Sequence, residues 1–175
     1  MLSMNDRIFP GGICCFIGHQ DLEPWEEQKV YTRMRYRVNP LILNGTKYFG
    51  VGGAQGFDML AAEYLLEERD DYGRRIKIIS VLPYPDYHSG WPEEDFRRQE
   101  EIIRRSDKVV YLSQKADPEA FLARERKLVD ESTYCICYCH RLTGETADIV
   151  KRAIWRGIAV YNCSSWDLQQ LIEDK

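Results

Sequence analysis

Nowhere in the chain do apolar residues run on for the roughly 20 positions that a bilayer-crossing helix needs. The opening stretch Met1-Leu2-Ser3-Met4-Asn5-Asp6-Arg7 also has no apolar core of the kind a secretory signal carries. The first absence argues against a membrane partner and the second against export, so the expected setting is the cytoplasm. Positive charge is in short supply as well. With 24 Lys and Arg against 28 Asp and Glu, the net charge of -4 gives no general attraction to a phosphate backbone or an anionic bilayer. Any anion site must therefore be local, and a nucleic-acid partner is disfavoured. No internal repeat or low-complexity linker breaks the chain, and only three histidines are on hand for acid–base work near neutral pH.

What is present fits one globular domain of 175 residues, with 44% hydrophobic and 30% charged residues. The six cysteines sit inside apolar stretches, as Cys14, Cys15, Cys135, Cys137, Cys139 and Cys163, where a free thiol behaves as a small hydrophobe. The run Cys135-Ile136-Cys137-Tyr138-Cys139 would place three sulfurs on one face of a strand. Neighbours on such a face lie roughly 6.6 Å apart, too far for thiolates sharing one zinc at about 3.8 Å. Reduced core cysteines and no metal site are expected, and no cofactor is implied.

Apolar β-rich runs alternate with amphipathic charged ones, the pattern of a Rossmann-like α/β fold: a doubly wound, mostly parallel sheet with helices on both faces, in three layers. Strands are predicted at 13–17, after the turn Pro10-Gly11-Gly12, and at 47–51, 76–82, 109–112, 134–138 and 158–161. Helices are predicted from Trp25 to Leu43, from Met59 onward, and over 93–105, 118–130 and 146–156. A closing helix from Ser165, acting as its N-cap, to Glu173 completes the pattern. In open sheets of this type ligands bind beyond the carboxyl ends of the strands. That rule nominates five loops: Gly18-His19-Gln20, Gly52 to Asp58, Pro83 to Trp91, Ser113-Gln114, and His140 to Thr146.

The loop Gly52-Gly53-Ala54-Gln55-Gly56 joins a buried strand directly to a helix. Glycines there let the backbone approach an anion, and the helix N-terminus offers N–H groups and a favourable dipole. The spacing matches neither G-x-G-x-x-G nor a Walker loop, and no Lys-Ser or Lys-Thr follows, so P-loop ATP hydrolysis is disfavoured. On this reading a side chain placed at Gly53 would meet the ligand's phosphate while leaving the fold intact. Asp58, in the first helical turn, either complements the helix dipole or accepts ribose hydroxyls. His19 ends the first strand, where it could touch a phosphate or exchange protons. Pro83, Tyr84 and Trp91 belong to a loop able to fold over a site, with aromatic faces suited to a nucleobase. Arg124, Arg126 and Asp130 fall in a charge-rich helical run most simply read as a solvated face, and Glu26-Glu27 and Asp70-Asp71 as charge for solubility.

The segment Val51-Gly52-Gly53-Ala54-Gln55-Gly56-Phe57-Asp58-Met59-Leu60-Ala61-Ala62-Glu63 resembles the SLOG superfamily, which unites DprA-like DNA-processing proteins with LOG-like nucleotide phosphoribohydrolases. It looks most like the YpsA-like branch of bacterial and phage proteins. Three further segments carry the resemblance: Cys15-Phe16-Ile17-Gly18-His19-Gln20, Leu82-Pro83-Tyr84 and Thr143-Gly144-Glu145-Thr146-Ala147. It implies a nucleotide-like phosphorylated ligand, such as ADP-ribose, an NAD-related molecule or a nucleoside monophosphate, held by Gly18, His19, the glycine loop, Asp58, Pro83, Tyr84, Trp91, Ser113, Gly144 and Thr146. Arg124 and Asp130 would stand behind them, and a homodimer is suggested. The branch carries Thr-Gly-His-Arg where this chain has Ile17-Gly18-His19-Gln20, and Gly-Gly-Thr where it has Gly144-Glu145-Thr146. The catalytic glutamate of LOG-like hydrolases is replaced by Ile149, so that activity does not transfer. Two alternatives stay open: hydrolysis of an N-glycosidic or phosphoester bond in such a ligand, and DprA-like binding of single-stranded DNA.

Overall fold

The computed structural model describes residues 13–173. The predicted turn Pro10-Gly11-Gly12 and the opening Met1 to Arg7 stretch lie outside the described residues. Six parallel strands alternate with helices: β1 (Ile13–Gly18), α1 (Pro24–Leu43), β2 (Tyr48–Val51), α2 (Phe57–Asp70), β3 (Lys77–Leu82), α3 (Glu93–Arg105), β4 (Lys108–Tyr111), α4 (Glu119–Asp130), β5 (Tyr134–Tyr138), α5 (Glu145–Trp155), β6 (Ala159–Asn162) and α6 (Gln169–Glu173). The sheet runs in the order β4-β3-β2-β1-β5-β6, with Cys15 of β1 in register with both Gly50 of β2 and Cys135 of β5. The fold is the expected Rossmann-like α/β arrangement, with every neighbouring strand pair parallel.

The alternation of β1 explains its place. Cys14 and Phe16 pack into the layer made by α1, α2 and α3, through Met34, Leu65 and Ile102. Ile13, Cys15 and Ile17 face the opposite layer, where Leu128 and Val129 of α4 meet Ile149 and Val150 of α5. A strand covered on both sides has no use for polar positions, hence its unbroken apolar run. Cys135, Cys137 and Cys139 do share one face, and all three are buried among the residues of that second layer. Helix α2 lies between α1 and α3 and against the sheet. It is therefore apolar nearly all round, from Phe57 to Leu66.

The closing helix is shorter than its sequence suggests. Ser165 caps nothing; the side chain of Asn162 accepts the Cys139 and Ser164 N–H groups and donates to Cys139 O and Trp166 O. These bonds hold the segment in turns until Asp167 accepts the Gln169 N–H at 2.9 Å and starts α6. Two acidic runs also have partners. Asp70 accepts from Arg69 and Arg105, and Glu26 accepts the Tyr138 hydroxyl. No helix among the described residues is long and apolar enough to cross a membrane.

Candidate functional site

The strand order reverses direction between β1 and β5: the connection after β1 leads to β2 on one side, and that after β5 to β6 on the other. A crevice beyond the carboxyl ends is expected at such a switch point, and one of about 440 Å³ lies there, lined by His19, Gln20, Asp21, Arg141, Thr143, Gly144, Glu145 and Thr146. His19 is buried and its Nε2 accepts the His140 backbone N–H at 3.2 Å, which leaves the ring proton on Nδ1 in the neutral form. Burial, with the nearby charges of His140 and Arg141, pulls the His19 pKa down to about 4 against the opposing pull of Asp21. At neutral pH it is thus an uncharged imidazole. Its ring lies 4.4 Å from that of His140. Asp21 pairs with the Arg141 guanidinium and stands 3.7 Å from His140 Nε2, tying the loop after β1 to the loop after β5.

Gly144 caps α5 with φ of 103°, and the space where a side chain would stand is open. The positive φ explains the glycine, and the N–H groups of the first helical turn have no partner within the helix. Thr146 is buried in that turn, while Glu145 and Asp148 add negative charge to it.

The glycine loop is built differently. Gly53 and Gly56 have φ of 72° and 73°. A Cβ at Gly56 would fall on the Gln20 carbonyl, and one at Gly18 on the Phe57 ring, far inside van der Waals contact. These glycines let the loops after β1 and β2 press together. At Gly53 a Cβ would run into Leu82 and the Tyr87 hydroxyl. This corrects the expectation that a side chain at Gly53 would meet a ligand and spare the fold, because that direction points into the core. Much of the loop's polarity is met internally. Tyr87 donates to Gly53 O at 2.5 Å, Asp58 Oδ2 accepts the Ala54 N–H at 3.2 Å, the Phe57 N–H reaches His19 O, and Gln55 donates to Asp95. Gln55 and Gly56 border a second cavity of about 270 Å³, which shares Gln20 with the first.

Under Gly52 lies a buried charged group. Asp58 and Arg124 are both buried, on helices from opposite faces of the sheet, and a Cβ at Gly52 would touch both side chains. Burial raises the Asp58 pKa to about 6, despite Arg124 and the Ala54 N–H. Glu125, which the sequence reading does not single out, stands between Arg124 and Arg126, and burial pushes it up to about 7, with Arg124 opposing and Asp58 and Glu145 adding to the rise. For Arg124 the sequence does carry a signal: Ala120, Arg124 and Leu128 recur at four-residue spacing and share the buried stripe of α4. Arg126 is exposed, as the solvated reading expects.

Other nominated residues stand apart. Asp130 lies six positions beyond Arg124 in α4, about 9 Å along the helix axis. There, away from the strands' carboxyl ends, it forms a two-pronged pair with Arg152, both bonds 2.7 Å. Ser113 closes its own turn onto Lys115, on a backbone tied to the Pro83 carbonyl. Tyr84 packs edge-on to Phe121, and Trp91 edge-on to Tyr87 and His88. His88 is buried, stacked on Phe96 and bonded to Glu100. The aromatic loop is therefore knit together by its own rings, and Tyr87, which sequence reading missed, is its contact with the glycine loop.

Two kinds of relative match this chain. It is 23% identical over 150 residues to a UPF0398 protein of Bacillus thuringiensis (strain Al Hakam), covering 81% of this chain and 80% of that protein. A UPF0398 protein of Oceanobacillus iheyensis is 20% identical over 153 residues, 84% and 82% of the two chains. Among solved structures, DNA processing protein A (DprA) from Streptococcus pneumoniae superposes with a TM-score of 0.63 at 16% identity, over 93% of this chain and 53% of that one. DprA from Helicobacter pylori, whose structure is titled for its single-stranded DNA binding mode, gives 0.57 at 22%, over 82% and 62%. The chain thus spans 53% of one DprA chain and 62% of the other, and at these identities the likeness shows the fold. Residues 24–154 match the YpsA family model. From α1 nearly to the end of α5, this chain belongs to the YspA SLOG family that the model describes.

Proposed function

We propose that the protein binds or senses a nucleotide-like phosphorylated small molecule, such as ADP-ribose, an NAD-related molecule or a nucleoside monophosphate, at the β1/β5 switch point. The observation that carries this reading is the crevice itself: a neutral His19, the Arg141 guanidinium and the open first turn of α5 converge on it. The phosphate belongs at the α5 N-terminus, where backbone N–H groups and the helix dipole favour an anion. The glycine loop, with several of its polar groups engaged internally, forms the adjoining wall. Glu145 and Asp148 oppose an anion there, and Asp21 competes for Arg141, so affinity should be modest.

The test is calorimetric titration with ADP-ribose, NAD and AMP, backed by thermal shift, since a ligand of the native state raises its stability. Arg141→Ala should weaken the best binder about tenfold, the loss expected from one charged hydrogen bond of about 1.5 kcal/mol. If none of the three nucleotides raises the melting temperature at millimolar concentration, the proposal fails. A second reading, binding of single-stranded DNA, is supported about as well by the DprA likeness. Weighing against it is the net charge of -4, because sequence-independent binding rests on cations that neutralise several phosphates. Anisotropy of a labelled oligo(dT) separates the two.

A further inference from the structure

His19, 6% exposed, lines the switch-point crevice. Its Nε2 accepts the His140 backbone N–H, so the ring is neutral by that geometry alone and its proton stands on Nδ1. No described residue accepts from Nδ1, and the atom is not sealed from solvent, which leaves that N–H open to the crevice. Of the charged side chains lining it, Asp21 and Glu145 are acidic and Arg141 alone is basic, and Arg141 is already paired with Asp21. Asp148 adds a further carboxylate to the first turn of α5. The His19 ring and the unbonded N–H groups of that turn can hold phosphate oxygens, but a second charge on the ligand meets carboxylates that no unpaired lining cation offsets. The crevice also has two ways out. Besides its own mouth, it adjoins across Gln20 the cavity of about 270 Å³, and that cavity shares Glu27, Leu60 and Arg98 with a groove of about 720 Å³ among α1, α2 and α3.

We propose that the crevice selects a singly charged phosphate substituted on both sides, a phosphodiester or one half of a pyrophosphate, over the doubly charged end of a phosphate monoester. The inference rests on the crevice reading above and narrows its ligands to those whose phosphate is internal. At neutral pH a phosphate monoester carries about −1.5 to −2 charges, and a diester, which has no second acidic oxygen, about −1. His19 suits the diester, because its N–H bonds an oxygen without adding the positive charge that would favour a dianion. The two ways out suit it as well. A terminal phosphate needs one exit for the rest of its ligand, whereas an internal phosphate needs two, and the open space beside Gly144 leaves the first turn of α5 clear for the phosphate between them.

The experiment titrates the full chain by calorimetry with AMP and with its methyl phosphodiester, two probes that differ in whether the second acidic oxygen is free, and with ADP-ribose. The unmodified protein should bind the methyl diester at least about fivefold more tightly than AMP, the effect of one added charge near a partly screened carboxylate. Glu145→Gln, checked for native circular dichroism, should bring the two within about twofold, chiefly by strengthening AMP. Gln20→Trp, at an exposed position, should weaken ADP-ribose about fivefold or more by narrowing one exit, while the methyl diester, whose one bulky side can leave by the mouth, stays within about twofold. AMP bound as tightly as its methyl diester overturns the selection. So does a preference that Glu145→Gln leaves intact, or an ADP-ribose affinity that Gln20→Trp does not change. Each of these outcomes overturns the inference alone, whereas binding of none of the three compounds overturns the crevice reading with it. Oligo(dT) titrated alongside separates the sources of an internal phosphate: tighter binding of ADP-ribose assigns it to a free small molecule, tighter binding of oligo(dT) to a strand, and the charge selection stands in either.

Discussion

A methyl group added at Gly53 would meet Leu82 and the Tyr87 hydroxyl and force an L-residue into positive φ. One added at Gly144, where φ is 103° and ψ 175°, would meet open space and carry only the backbone strain, about 1–3 kcal/mol. Gly53→Ala should therefore lower the urea midpoint clearly more than Gly144→Ala. Equal losses would show that the packing around Gly53 is not what demands a glycine. The titrating groups give a second test with opposite signs. Asp58 and Glu125 have folded pKa values of about 6 and about 7, above their ordinary 3.8 and 4.5. Their contribution to stability is full below about pH 4 and is lost as pH rises through 6 to 7. His19, depressed from 6.5 to about 4, contributes above 6.5 and loses that contribution as pH falls toward 4. Asp58→Asn should gain stability relative to the unmodified protein between pH 5 and pH 7.5, roughly following the shift in charge. A difference that does not vary with pH would exclude Asp58 as a buried titrating group. Glu125 itself was hidden from sequence reading because its immediate neighbours Arg124 and Arg126 make the run look solvated. The four-residue spacing through Ala120 and Leu128 betrays the buried side at Arg124 but not at Glu125.

Among the secondary-structure elements, the strands were legible because β1, β3 and β5 are covered on both faces and so read as apolar runs, that of β3 broken within only by the buried Ser80. Helix ends were legible within a residue or two wherever local residues set them. The start of α6 was not, because Asn162, at the end of β6, bonds both the Cys139 backbone and the turn that follows, contacts that no local pattern announces. Removing Asp167's bond to the Gln169 N–H should fray α6 without unfolding the sheet. Asp167→Ala is expected to cost about 1 kcal/mol and to speed amide exchange at Gln169 to Leu171 while leaving Ile136 protected. If exchange quickens throughout the sheet, α6 is more tightly coupled to the core than its short length implies. The candidate site was legible as a set of loops, since the parallel-sheet rule brings strand ends together. Which loop offers free N–H groups was not, because the Phe57 N–H is taken by the His19 carbonyl, from a distant part of the chain, and the Ala54 N–H by the Asp58 carboxylate.

On the proposed reading, the anion would sit in a small, local, electrically mixed pocket on a chain of net charge -4. A compact ligand held through one phosphate should lose less than about tenfold in affinity between 50 and 200 mM salt, whereas a single-stranded oligonucleotide held through six or more phosphates should lose roughly 300-fold or more. The slope of affinity against salt thus discriminates the two binding readings even where both probes bind.

The order β4-β3-β2-β1-β5-β6 has a consequence for biosynthesis. The first four strands and α1 to α3 are adjacent in sequence and in space, so they can assemble as soon as they leave the ribosome. At that stage Ile13, Cys15, Ile17, Ile79 and Val81 still face water, because the layer that buries them is supplied by α4 and α5. The nascent chain therefore carries one finished face and one greasy face, with a thiol on it, until about residue 150 has emerged. Arg124 arrives in that same second layer. The charged group under the glycine loop is thus completed only when α4 joins, and a chain released before then would display both an adhesive surface and a carboxyl at Asp58 that still lacks its cation.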